Sequence, residues 1–222
     1  MSTSHWWRIL CATTLVLCCS AAPGAPKKAA TVAKRDIKFI TCQVCEHAVE
    51  QAWAQAKAVR KATKRPDEDA FVDIAEQLCD WKKAQGAWLT SVDIKQSWDR
   101  LSVMVRGEPG HCKEECRTAA AACRAAIAEH DLDLAEVLYN RKTRKLRTLQ
   151  KWACKTWSGV CNKGKTPKVP ETYERDDEVF KPKSKADVEM DALMAQLNAA
   201  GMGGMSVFNR EEIGEMEASG EL

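Results

Sequence analysis

The sequence has no apolar run long enough to cross a bilayer. Ile9 to Cys19 offers about 11 residues where a spanning helix needs about 20, and no later stretch does better. It has no excess of one charge, with 34 Lys and Arg against 31 Asp and Glu, so nucleic acid is not implied as a partner. It contains no G-x-S-x-G, H-E-x-x-H, phosphate-binding loop or dinucleotide fingerprint. His47, His111 and His130 belong to no recognisable motif and read as helix-surface, turn and helix-terminal residues. Asn-x-Ser/Thr is absent, which excludes N-glycosylation. Aromatic residues make up only 6% of 222 residues, which suits one compact domain with added segments. No catalytic residue, cofactor or metal is therefore expected.

What the sequence does have is a secretory signature and cysteine. Arg8 precedes the Ile9–Cys19 run, and Ser20, Ala21 and Ala22 suit a signal peptidase, so residues 1–22 read as a cleaved signal peptide. Cys11, Cys18 and Cys19 leave with it. Cys42, Cys45, Cys79, Cys112, Cys116, Cys123, Cys154 and Cys161 stay, and an even number of cysteines bound for an oxidising lumen reads as a disulfide framework. Counting alone assigns no partners.

Residues 23–36, rich in Lys, Ala and Pro, read as a flexible leader, and the domain is expected over 37–162. From Thr41 to Lys64 there is no Gly or Pro, and Val44, Ala48, Ala52, Ala56 and Val59 recur at helical spacing. A second helix is expected from Pro66 or Asp67, burying Phe71, Ile74, Ala75, Leu78 and Cys79, with Gly86 as its breaker. Val92–Ile94 read as a further helical turn, and Leu101, Val103 and Val105 as a short strand or hairpin before the turn at 107–110. Cys112–Glu129 reads as a third helix, and a last helical region runs from Asp131 to about Trp157. Its exposed face carries Arg141, Lys142, Arg144, Lys145, Arg147 and Lys151. Trp53, Trp81, Trp88, Trp98, Trp152 and Trp157 are expected mostly to fill core. Residues 163–222 read as a Pro- and charge-rich linker and a Met/Gly-rich tail. Within it a short amphipathic helix presents Met190, Leu193, Met194 and Leu197, followed by Met202, Met205 and Phe208. Thioethers adapt to many surfaces, so these residues are the expected docking element.

The fold class is thus all-α: a disulfide-stapled domain of four to five helices with a flexible C-terminal tail. Cys42-Gln43-Val44-Cys45-Glu46, the long interval to Cys79, the stretch from Cys116 through Asp133-Leu134-Ala135-Glu136, and Cys154 with Cys161 resemble the saposin-like proteins, specifically the canopy family and its plant and algal relatives. The resemblance covers Thr41 to Cys161. It implies first-to-last, second-to-penultimate and middle-to-middle pairing, hence Cys42–Cys161, Cys45–Cys154 and Cys79–Cys116. Cys112 and Cys123 exceed the six-cysteine pattern; they form a fourth bridge, or Cys123 replaces Cys116 as the partner of Cys79.

The resemblance further implies a luminal adaptor or co-chaperone of the endoplasmic reticulum, with client proteins or a luminal chaperone as partners. The alternative is a secreted or luminal saposin-type lipid binder. Two other readings of the cysteines carry less weight. A thiol oxidoreductase at Cys42 and Cys45 expects a βαβ context, and the residues before Thr41 offer at most one short strand. A zinc site of Cys42, Cys45, Cys112 and Cys116 fits the spacing, but a secretory route favours disulfides. The terminal Ser219-Gly220-Glu221-Leu222 shares only Glu-Leu with the reticulum retrieval signal.

Overall fold

A computed structural model describes residues 31–161 and 167–199. The expected signal peptide, Met202, Met205, Phe208 and the terminal tetrapeptide lie outside the described residues.

Helix α1 (Lys34–Ala62) is the central element. Its row Val44, Ala48, Ala52 and Ala56 is fully buried, as the spacing predicts. These small side chains let it lie against α3 (Glu114–Ile127), whose Ala119, Ala120, Ala122 and Ala126 are buried in turn. The α1–α3 contact is the most extensive between helices. Helix α2 (Asp69–Gln77) buries Phe71, Ile74 and Ala75 and packs on α4 (Asp131–Asn140).

After α2 the chain turns so tightly that a Cβ on Gly86 would lie 2.1 Å from the Asp80 carbonyl oxygen. A 3-10 segment, Ala84–Ser91, follows. The Trp88 indole donates a 3.0 Å hydrogen bond to the Leu78 carbonyl, which ties that segment back to α2.

The expected helical turn at Val92–Ile94 is instead strand β1 (Val92–Ser97), paired antiparallel with β2 (Arg100–Val105). Ile94 faces Val103 and Gln96 faces Leu101. Both outer edges of this hairpin are capped by side chains. The Gln43 amide donates to the Leu101 carbonyl at 2.8 Å and accepts from the Val103 amide at 3.0 Å. On the other edge the Ile94 amide donates to Glu115 at 2.7 Å, and Arg175 donates to the Ile94 carbonyl at 2.6 Å. A two-stranded ribbon with free edges invites pairing with other chains, and these contacts remove that opportunity.

The last helical region is also broken. Helix α4 stops at Arg141, which has φ of 50°, and α5 (Leu146–Lys151) passes into a π turn over Trp152–Trp157. The six basic residues of the expected stripe are all exposed, but they lie on the 141–145 connection and α5 rather than along one helix.

Four disulfides staple these elements. Cys42–Cys161 and Cys45–Cys154 join α1 to the end of the domain, Cys79–Cys123 joins the end of α2 to α3, and Cys112–Cys116 closes a local ring at the start of α3. Of the two partners left open for Cys79, Cys116 and Cys123, the bond goes to Cys123, two turns further along α3 and beside the turn that follows α2, whose Cys79 carbonyl accepts from Arg124. In the chain-entropy model the two long bridges are each worth about 5 kcal/mol alone, Cys79–Cys123 about 4 and Cys112–Cys116 about 2.

Ordered structure extends beyond both expected limits of the domain. At the N-terminal side α1 starts at Lys34, and Asp36 is buried. At the C-terminal side residues 167–183 run along the domain as a strap. Val169 is buried and donates its amide to the Asp99 carbonyl at 2.7 Å, and Gly110 pairs with Pro182. Gly110 permits this approach, since a Cβ there would meet the Phe180 ring at 2.8 Å. Helix α6 (Lys185–Ala199) follows, opened by a reciprocal cap in which Ser184 Oγ accepts from the Asp187 amide and the Asp187 carboxylate accepts from the Ser184 amide.

Candidate functional site

Three surfaces meet around the strap. The strap itself is held by Arg175, whose side chain is only 7% exposed. Its Nε donates to Asp36 Oδ2 at 2.9 Å, Nη2 donates to Glu115 Oε1, and Nη1 donates to the Ile94 carbonyl and, at 3.2 Å, to Asp177. One guanidinium thus ties the strap to α1, β1 and α3. Burial by itself would lower the Arg175 pKa, but the hydrogen bond and charge of Glu115, and then those of Asp36, raise it above its ordinary value. Burial pushes the Glu115 carboxyl up, against the opposing pull of Arg175 and the Ile94 amide. The Tyr173 hydroxyl donates to Asp36, and its ring meets Phe39 edge-on at 5.5 Å. Burial, followed by that hydrogen bond and the Asp36 charge, raises its pKa from 10.0 to about 12. Charges of this kind are stable inside a protein only when paired and hydrogen-bonded, and here each is.

The strap delivers α6. Of the expected docking residues, Met190 and Leu193 are about half exposed; Val188, toward the opposite side of the helix, is also exposed. Met194 and Leu197 are more shielded. The helix therefore presents an apolar face outward from a fixed base, and Lys183, bonded to Asp191 at 2.6 Å, links that base to the helix.

A cleft of about 760 Å³ opens between α1, α2, the 3-10 segment and β2. Its walls are mainly apolar, with Val59, Ile74, Trp88 and Val105 among them and Gln51, Gln55 and Arg106 as polar points. At the hairpin tip Trp98 is 97% exposed with φ of 53°, a backbone region where glycine is the usual occupant. Trp98 is thus not core, whereas Trp88 is buried and Trp53, Trp81, Trp152 and Trp157 are half-buried.

The cysteines do not form the other constellations that their spacing allowed. Cys42 and Cys45 are bridged to Cys161 and Cys154 rather than to each other. Cys42, Cys45, Cys112 and Cys116 are divided between three different bridges. Glu46 lies beside the Cys42–Cys161 sulfurs, which could join it in holding a cation only if that bridge were reduced.

Sequence reasoning missed Asp36, Glu115, Tyr173, Arg175 and the exposure of Trp98. The available signal was Val169, Tyr173, Val179 and Phe180, apolar residues spaced through a stretch otherwise composed as a linker. Compared with known proteins, the chain matches no family model, no curated protein and no solved structure.

Proposed function

We propose that the protein is a non-catalytic adaptor of the secretory lumen that assists the folding or trafficking of client proteins. Four disulfides are the product of an oxidising compartment, luminal or extracellular. Among the described residues no helix is long and apolar enough to cross a membrane. The observation that carries the reading is α6: a capped helix with Met190 and Leu193 exposed, set on a strap whose base is an ion-paired network. A helix with apolar residues outward is the half of a helix-in-groove contact that a monomer leaves unfilled. Residence in the endoplasmic reticulum and the co-chaperone role rest on the resemblance to canopy proteins.

A lipid-binding role is the second reading, favoured by the mainly apolar cleft of about 760 Å³, which is of ligand size. The test uses the mature chain and Met190→Asp/Leu193→Asp. The intact protein is expected to slow aggregation of an unfolded secretory protein, and the variant to lose that effect at unchanged stability. Equal protection by both would remove α6 from the mechanism. Absence of protection by either, together with retention of a defined lipid by both, would overturn the adaptor and leave the lipid binder.

A further inference from the structure

Three of the bridges join separate elements, and only Cys112–Cys116 joins neighbours, four positions apart in sequence. Opening it leaves α1 stapled to the end of the domain, and the turn after α2 stapled to α3. The two sulfurs are also unequal. Cys116 is 3% exposed, in the first turn of α3 and walled by Phe180 and Lys181 of the strap, whereas Cys112, just before the helix begins, is only partly buried. The ring therefore offers one attackable sulfur and one sheltered leaving sulfur.

We propose that Cys112–Cys116 is a thiol–disulfide exchange site that accepts electrons from a thiol donor, the protein substrate being a chain with two free cysteines. A donor thiolate attacks Sγ of Cys112; the Cys112–Cys116 bond breaks, and Cys116 leaves as a thiolate that takes a proton from solvent. The donor's second thiol loses its proton and attacks the donor sulfur in the mixed disulfide, releasing Cys112. Two electrons pass to the protein, and the donor ends as a disulfide. The charged groups around the ring are of both signs, with His111 and Lys113 on its own segment, Glu114 and Glu115 in the first turn of α3, and Glu178 and Lys181 on the strap. The exchange does not depend on the adaptor reading, because it needs neither α6 nor a client groove.

The strap reports on the reaction. His111 donates its amide to the Lys181 carbonyl, Lys183 to the Pro109 carbonyl at 2.9 Å, and Glu115 to Glu178 at 3.1 Å, so the segment that carries the ring is the one the strap grips. Opening the ring loosens that grip.

The test exposes the folded mature chain to graded reduced glutathione and, separately, to a reduced unfolded protein. Free thiols are alkylated at intervals and mapped by mass spectrometry. Cys112 and Cys116 are expected to be modified at least tenfold faster than the other six cysteines in both arms. Amide exchange is expected to rise in 173–183 alone, and the reduced protein to gain a disulfide. The Cys112→Ser/Cys116→Ser variant is expected to keep the other three bridges and lose the reaction. Simultaneous opening of all four bridges, or earlier opening of Cys42–Cys161, overturns the proposal. Reaction with glutathione but not with the reduced protein overturns the protein substrate.

Discussion

Arg175 decides whether the strap belongs to the domain. Its guanidinium fork faces Asp36 and Glu115, both nearly inaccessible, and removing one partner of a buried ion pair costs about 3 to 5 kcal/mol. Here the strap sets a ceiling, since it can peel away and let water reach the two carboxylates. Arg175→Ala is therefore expected to lose about 3 kcal/mol at most, with rapid amide exchange in 173–183 while α1 and α3 stay protected. Arg175→Lys keeps the charge but not the fork, and recovers only part of the protection. A loss below about 0.5 kcal/mol is what a surface pair gives and would contradict the burial of this one. The same network predicts a pH response. The folded Tyr173 hydroxyl has its pKa raised from 10.0 to about 12, so its contribution is whole below the unfolded value and is lost as pH climbs through the folded one. The chain has two tyrosines, so in Tyr139→Phe phenolate absorbance reports Tyr173 alone. A midpoint near 12 accompanied by strap release is expected; a midpoint near 10 would mean that Asp36 does not hold the hydroxyl.

At the scale of elements, α6 is expected to be energetically separate from the domain it extends. Met190 and Leu193 are about half exposed, and substitutions at such positions change stability by about 0.5 kcal/mol or less. Urea denaturation of Met190→Asp/Leu193→Asp should overlay that of the parent; a clear loss would show that α6 packs on the domain in solution. α6 and the four helices of the domain core were legible in sequence because each carries a helical period or a run of helix formers unbroken by Gly or Pro. What escaped was set by partners far along the chain. Val92–Ile94 is too short an apolar run for its period to distinguish strand from helix, and it is a strand because Val103 pairs with it. The start of α1 was placed too late because Asp36 is buried through Arg175, 139 residues on. The break at Arg141 carries no Gly or Pro to announce it. Between Cys116 and Cys123, both left open by the sequence, Cys79 finds Cys123 because the turn after α2 meets α3 at that level, which no spacing rule contains.

At the scale of the molecule, the two long bridges lie side by side, and their energetics are coupled. Either alone closes a loop of over a hundred residues, 119 for Cys42–Cys161 and 109 for Cys45–Cys154. Once one is formed, the other closes only the small ring made by the three residues from Cys42 to Cys45 and the seven from Cys154 to Cys161. A ring of that size is worth about 3 kcal/mol against about 5 for the full loop. Removing either bridge by paired Ser substitutions is therefore expected to cost about 3 kcal/mol, and removing both about 8, which exceeds the sum of the separate losses by about 2. That surplus comes from the unfolded chain, where either bridge alone still keeps the ends together. Urea denaturation of the parent, the two single-bridge variants and the variant lacking both completes the cycle. Strict additivity would mean that the ends of the unfolded chain stay close without either bridge, and the long loops would then contribute far less to stability than their length implies.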